Sequence, residues 1–412
     1  MRGRGFGGFL VARTVSWAGS ALTLVALPVL LYERTGNAAL TGLAAALEAL
    51  PYLLLGLPAG AVADRWDRRR TLVVTAALSA GLLASVPIAD AAGLLTTGHL
   101  LAVAAGGATL FVFSDAATFG TLPALVGRER IAVATGQLNT ANTIVTVGGP
   151  ALGGVSMATI GPAWTLGLDA ASFALAAWLL RRLDLPAIAG TGGRRRMRAE
   201  IAEGLHFLWG HRTIRWLTLL GVGNSLTGGA VLGLVVVAAV RSLGLPEDDG
   251  RIGLLYAAAG AGSLAAGLLL PPLRARLSVG RITLGGLLGG WLAVSAWALS
   301  DRLAVGLVTL AAWYAAHMLV NLNGIVVRQE STPDALQGRV NTTARMIAWG
   351  GQPLGAALGG LLAETLDVRI ALLLAGGGVA ASACAATLGR LWRLDRPAER
   401  RRPRTRPSRW LG

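Results

Sequence analysis

The chain has 412 residues, with 37 basic against 21 acidic side chains, and every basic one is an arginine. Apolar residues make up 54% and charged residues only 14%, whereas an ordinary soluble domain carries about 25% charged residues. That excludes a disordered chain, a collagen and a disulfide scaffold, since the single cysteine, Cys384, can form neither an internal bridge nor a CxxC metal site; it also argues against a soluble enzyme, which would lack polar surface.

A helix that crosses a bilayer needs about 20 predominantly apolar residues. In chain order, the apolar runs at 8–31, 38–62, 71–91, 98–121, 132–159 and 163–181 predict six such helices. A further six are predicted at 214–240, 250–272, 281–299, 303–327, 338–363 and 369–390. The first run is too long for the apolar core of a signal peptide and contains Arg13, so it reads as a retained helix. Between the two sets lies the polar segment 183–213. Its Gly190–Arg196 part reads as a flexible linker, and Ile201, Leu205 and Leu208 then recur at helical spacing, with Glu200 and Glu203 between them. That spacing predicts a short amphipathic helix on the membrane surface. The organisation expected is a bundle over 1–182, a linker over 183–213, a second bundle over 214–391 and a basic, disordered tail over 392–412.

The arginines test this layout. With twelve spans, thirty of the 37 fall on the face that carries the N-terminus, five on the opposite face, and Arg13 and Arg345 inside spans. Such asymmetry marks the cytoplasmic side and places both termini there, in a cell (inner or plasma) membrane. The basic excess then orients the chain against anionic membrane lipids, and no nucleic-acid partner is needed to explain it. The halves also look like repeats. A shift of 202 residues brings Gly136, Asn139, Thr140, Gly148 and Gly149 onto Gly338, Asn341, Thr342, Gly350 and Gly351.

Two motifs carry more specific information. After the second span the chain reads Gly60-Ala-Val-Ala-Asp64-Arg65-Trp66-Asp67-Arg68-Arg69-Arg70. Gly60 permits close helix contact, and Asp64 among arginines can accept charge-assisted hydrogen bonds in one conformation and release them in another, which makes a latch. The fifth span holds Gly136, Gly149, Pro150, Gly153 and Gly154. Here Pro150 removes a backbone hydrogen bond and the glycines admit a neighbouring backbone.

These residues resemble the major facilitator superfamily. Its loop between helices 2 and 3 reads GxxxD-R/K-x-G-R/K-R/K, matched at Asp64, Arg65, Arg68 and Arg69, with Asp67 where glycine is usual. Its antiporter element reads Gly-x8-Gly-x3-Gly-Pro-x2-Gly-Gly, matched except at Val145. Leu122-Pro-Ala-Leu-Val126, Ser114-Asp-Ala-Ala117 and Gln329–Arg339 are similar to the drug and siderophore exporter branch that includes enterobactin and macrolide exporters. The resemblance implies an all-α membrane protein: twelve transmembrane helices in two pseudo-symmetric six-helix bundles that rock about a central cavity.

A charge at the bilayer centre costs roughly 2.5–3.5 kcal/mol, so ionisable groups there should face protein or a water-filled cavity. Asp115, Glu48 and Asp169 are the candidates for carrying a proton, set against structural hydrogen bonding or a buried pair with Arg13. Arg13 and Arg345 lie six to nine residues from arginines at the basic face. That depth is roughly 9–14 Å, within reach of snorkelling or of pairing with a cavity carboxylate. Asn139, Asn142, Asn224, His317 and Asn321 are further cavity candidates, with helix packing as the alternative. Trp17, Trp178, Trp291, Trp313 and Trp349 could stack on a ligand, but interface anchoring is the commoner fate.

No phosphate loop is present, and none can be without lysine. Gly260-Ala-Gly-Ser-Leu-Ala265 matches a loose dinucleotide pattern, but it lies within an apolar span with no strand before it. With no nucleotide engine in the sequence, the resemblance implies a monomeric secondary transporter, neither an enzyme nor dependent on a cofactor, that exchanges protons for small amphipathic substrates such as antibiotics or siderophore-like metabolites. Uptake, facilitated diffusion and a non-transporting sensor or lipid-moving protein are the alternatives.

Overall fold

The computed structural model describes residues 3–63, 66–183, 197–333 and 336–393. Its first half consists of α1 (Gly3–Thr35), α2 (Ala38–Ala63), α3 (Arg68–Ala91), α4 (Thr97–Val126), α5 (Ile131–Ile160) and α6 (Pro162–Arg182). Helix α7 (Met197–Gly210) follows. The second half is α8 (Arg212–Arg241), α9 (Ile252–Arg276), α10 (Val279–Ala298), α11 (Leu303–Ser331), α12 (Gln337–Trp349), α13 (Gly351–Thr365) and α14 (Val368–Leu388). No strand occurs among the described residues. Eleven of these helices are long and apolar enough to cross a membrane. The α12–α13 pair fills the twelfth place.

That pair corrects one expectation. The run 338–363 reads as one uninterrupted span, yet the helix breaks at Gly350. Pro353 has no amide to donate to the Trp349 carbonyl, and Gly350 and Gly351 offer no side chain to resist bending. Ser225 of α8 donates its hydroxyl to the Ala348 carbonyl at 2.5 Å, so a carbonyl beside the break is satisfied from outside its own helix.

The same packing scheme is built twice. In the first half α1 packs on α5 and α6, α2 on α4, and α3 on α4 and α6. In the second, α8 packs on α13 and α14, α9 on α11, and α10 on α11 and α14. Loops at the arginine-poor face are tight: Gly36 and Gly161 adopt φ +58° and +81°, which only glycine takes without strain. At the arginine-rich face the Asp67 side chain caps α3 by accepting from the Arg70 amide at 2.8 Å.

Large apolar side chains such as Leu268, Val308 and Leu354 stay exposed on the outside of the bundle. In lipid this exposure carries no penalty. Helix α7 docks on α12, with Leu208 buried beside Ile214, Val340 and Ala344. Glu203 pairs with Arg339, and Gly204 lies so close to the Arg339 carbonyl that a Cβ would crowd it. The docking face is thus Gly204 and Leu208. Leu205 points away from that face, exposed with Trp209 one turn on.

Candidate transport cavity and its seal

The two halves touch most closely near the arginine-poor face. Gly42 of α2 lies against Ala356 and Gly360 of α13, and Gly154 of α5 lies against Gly250 and Gly253. A Cβ at Gly42, Gly154 or Gly253 would overlap the opposing backbone. At the edge of this seal the Arg241 guanidinium at the end of α8 bridges the halves. It donates from Nε to the Tyr32 hydroxyl at 2.8 Å and from Nη2 to the Gly36 carbonyl at 2.8 Å. Within its own half it donates to the Ala363 carbonyl at 3.0 Å and pairs with Glu364 at 3.1 Å. Glu364 in turn accepts from the Ala38 amide across the boundary at 2.8 Å. Residues from the ends of four helices build this clamp, and no local sequence pattern announces it.

On the arginine-rich side of the seal lies a central cavity of about 350 Å³ between α2 and α4 of one half and α12 and α13 of the other. Glu48, Tyr52 and Asp115 line it from the first half, and Asn341, Arg345 and Trp349 from the second. The Tyr52 hydroxyl donates to the Asp115 carboxylate at 3.1 Å. The Arg345 guanidinium stacks on the Tyr52 ring at 4.4 Å and on the Trp349 ring at 4.5 Å. A second cavity of about 360 Å³ lies within the first half, among α1, α2, α3, α4 and α6, and shares Glu48 and Phe111 with the first. Glu48 also lines a narrow fissure towards the seal, with Thr41 and Tyr256. Among the described residues nothing hydrogen-bonds or ion-pairs with Glu48. Its carboxylate therefore stands at the junction of three spaces with no fixed partner.

The other anticipated residues sort by their contacts. Asp169 is 1% exposed and accepts from the Thr23 hydroxyl at 2.5 Å and the Ser172 hydroxyl at 3.0 Å, which ties α6 to α1. Arg13 is 5% exposed, donates to the Ser114 hydroxyl at 3.1 Å and lies 5.0 Å over the Trp17 ring. Its Nε and Nη2 have no partner. Asn139 and Asn142 are exposed on α5 and line neither cavity. Asn224, His317 and Asn321 form a separate cluster inside the second half. Asn224 donates to the His317 carbonyl at 3.3 Å, and the His317 ring meets the Asn321 amide at 3.0 Å.

In the α5 motif, Gly149 packs on Ala21 and Gly153 on the Leu22 backbone, both of α1, whereas Gly154 faces α9. Pro150 presents its carbonyl to Gly253. Gly136 has open space around it, so close packing explains only the motif's second part. Of the loop motif, Asp64 and Arg65 lie outside the described residues. Gly60 falls near the end of α2, Arg68 is half-buried at the start of α3, and Arg69 donates to the Arg181 carbonyl at the end of α6. Sequence reasoning does not single out Tyr52, the Arg241 clamp or Arg328 as site residues.

A family model described as "Transmembrane secretion effector" matches residues 1–407. Among curated proteins, the chain is 27% identical over 387 residues to the multidrug efflux pump Tap of Mycobacterium tuberculosis, covering 88% of each chain. It is 29% identical over 374 residues to the enterobactin exporter EntS of Citrobacter koseri, covering 89% of this chain and 87% of that one. Among solved structures, it superposes with a TM-score of 0.75 and 16% identity on a bacterial homologue of the lysosomal transporter Spinster, in an inward-facing, unoccupied conformation. That match covers 95% of this chain and 97% of that one. The nucleoside transporter NupG gives a TM-score of 0.73 at 14% identity, over 93% of this chain and 98% of that one.

Proposed function

The chain belongs to the transmembrane secretion effector family of the major facilitator superfamily, and from that premise we propose that it exports small amphipathic molecules by alternating access. A member of this superfamily is a transporter and not an enzyme, so the question is direction and drive. The observation that carries the reading is a cavity on the arginine-rich side of a sealed contact between two like halves. If the arginine-rich face is cytoplasmic, as the thirty-to-five distribution favours, this is the inward-facing state, open to collect substrate from inside. Rocking the halves breaks the α2–α13 and α5–α9 contacts and the Arg241 clamp, and closes the opposite face. The exporters Tap and EntS among its relatives favour outward transport.

A proton returning through the same cavity is the proposed drive. Glu48 is the first candidate carrier, because it touches the central cavity, the inner cavity and the fissure towards the seal without a fixed partner. Asp115, held by Tyr52, is the second. Asp169 serves better as a tie between helices. We place the protein in the cell membrane with both termini cytoplasmic, acting as a monomer with lipid around it.

The test is transport in inside-out vesicles carrying the full chain. An exporter accumulates an amphipathic dye when the lumen is acidified, and Glu48→Gln abolishes the response to acidification. Accumulation by right-side-out vesicles instead would assign uptake. Dye movement that equilibrates regardless of the pH gradient would assign facilitated diffusion.

A further inference from the structure

We propose that the central cavity selects organic anions bearing an aromatic ring, and that Arg345, held between Tyr52 and Trp349, is the residue that reads the charge. This rests on the transporter reading but not on proton coupling or on direction. Three guanidiniums lie at this level of the bundle. Arg345 lines the cavity itself. Arg328 is 6% exposed, sits within electrostatic range of Arg345 and reaches Asn341 at 3.4 Å. Arg13 stands on the far side, feels the charge of Asp115 and keeps two buried nitrogens unpartnered. Among the described residues none of the three makes an ion pair with a carboxylate.

The carboxylates nearby are Glu48, Asp115 and Asp169, equal in number to the guanidiniums, so a count alone decides nothing. Chemistry does. A carboxyl group in an apolar wall can take up a proton and cease to demand a counter-charge, whereas a guanidinium keeps its proton in any protein environment. The obligate charge of this cavity is therefore positive. Asp115 offsets part of it through Tyr52 and Arg13, and Asp169 is occupied by Thr23 and Ser172. Arg345 and Arg328 remain without a carboxylate counter-ion among the described residues: Arg328 has the neutral Asn341 and Arg345 the Tyr52 and Trp349 rings, so their charge is not neutralised by the protein. A bound anion supplies what the protein omits.

The walls fit the rest of such a molecule. The Tyr52 and Trp349 rings stand 6.0 Å apart at 46°, and their faces fix the guanidinium plane by cation–π contact. Arg345 Nε is buried without a partner. Asn341, Thr342 and Gln352 add hydrogen-bonding groups on the same wall. A carboxylate or phenolate would accept from Arg345 while its ring lies against Trp349, which is 37% exposed. Arginine suits this role better than lysine because its planar fork matches a carboxylate and stacks on rings.

The experiment uses xanthene dyes of one scaffold and opposite sign, anionic fluorescein and cationic rhodamine 123, with the full chain in lipid nanodiscs and in vesicles. Fluorescence polarisation should show fluorescein bound at least tenfold more tightly than rhodamine 123. Arg345→Gln should remove that preference by weakening only the anion. Arg345→Lys, which keeps the charge and guards against a folding artefact, should retain part of it. Preference for rhodamine, binding of neither dye, or an equal loss of both in Arg345→Gln overturns the proposal. The vesicle arm separates it from the exporter reading. Rhodamine exported in preference to fluorescein sinks the anion preference alone, whereas anion-selective binding without outward transport sinks only the exporter reading.

Discussion

Two carboxylates of the first half sit in opposite situations, and their substitution should separate transport from stability. Asp169 receives two hydroxyl hydrogen bonds and ties α6 to α1. Replacing it with alanine leaves the Thr23 hydroxyl without its acceptor, while Ser172 keeps the Asp169 carbonyl, and opens space beside Gly19, whose Cα faces Asp169 and Ser172. A loss of about 1–3 kcal/mol is expected, read as a lower melting temperature in detergent. Asp169→Asn, which still accepts from one hydroxyl, should recover much of it and keep acid-driven transport. Glu48→Gln removes no hydrogen bond and should leave the melting temperature within about a degree or two while the response to acidification disappears. If Glu48→Gln melts like Asp169→Ala, the division of roles is wrong. Both carboxylates, and Asp115 with them, were legible in the sequence as charges inside apolar runs. Their difference was not, because Thr23 reaches Asp169 from α1 and only the packed structure brings that pair together, although Ser172, one turn along α6, is already a neighbour by sequence. Tyr52 escaped for a related reason: a tyrosine in an apolar run is ordinary until Asp115 and Arg345 are seen on either side of it.

At the scale of the helices, glycine placement governs how the halves meet. Where Gly154 and Gly253 cross, the two backbones approach too closely for any side chain. Gly154→Leu should therefore wedge α5 from α9, unseat the closed face and favour the state open on the arginine-poor side. Gly136→Ala, facing open space, should change little and can gain slightly through helix propensity. Cys384 is the only cysteine, so a Cys384→Ser background allows single reporter cysteines to be placed freely. A reporter at Thr41, beside the seal, should react with a water-soluble maleimide at least tenfold faster in Gly154→Leu than in the unsubstituted background. Equal rates would mean that the glycine crossing does not set the closed state. Helix number and order were readable from apolar run length. The break at Gly350 was harder to see. Gly148 and Gly149 stand in the matching place of α5, and Pro150 follows there too, yet α5 runs on to Ile160. The difference lies in the neighbour: Ser225 of α8 takes up the Ala348 carbonyl beside the break. A tertiary partner decides between a bent helix and a broken one.

For the whole molecule, the balance between the two faces depends on what each holds together. The arginine-poor face is held by backbone-to-backbone crossings and by Arg241, whose donors engage Tyr32, Gly36, Ala363 and Glu364. Since Tyr32 and Gly36 belong to one half and Ala363 and Glu364 to the other, every opening of the arginine-poor face must separate this guanidinium from at least one set. At the arginine-rich face α7 docks on α12, and the central cavity lies between the halves. Arg241→Ala removes the clamp from one state only, so it shifts the equilibrium towards the state open on the arginine-poor side rather than merely weakening the fold. The side chains are about one-third exposed, which reduces the strength of their charge contacts. A shift of about 1.4 kcal/mol, tenfold in population, is the reasonable expectation. It should appear as faster labelling of the Thr41 reporter and a matching slowing of a reporter at Gly56, beside the central cavity, because one rocking motion opens one side as it closes the other. The clamp also contains an internal control. Glu364→Gln keeps a carbonyl for the Ala38 amide and for Arg241 but loses the charge, so it should shift the equilibrium in the same direction and by less. Were both reporters to speed up together in Arg241→Ala, the two faces would not be coupled, and the alternating-access account of this cavity would fail with them.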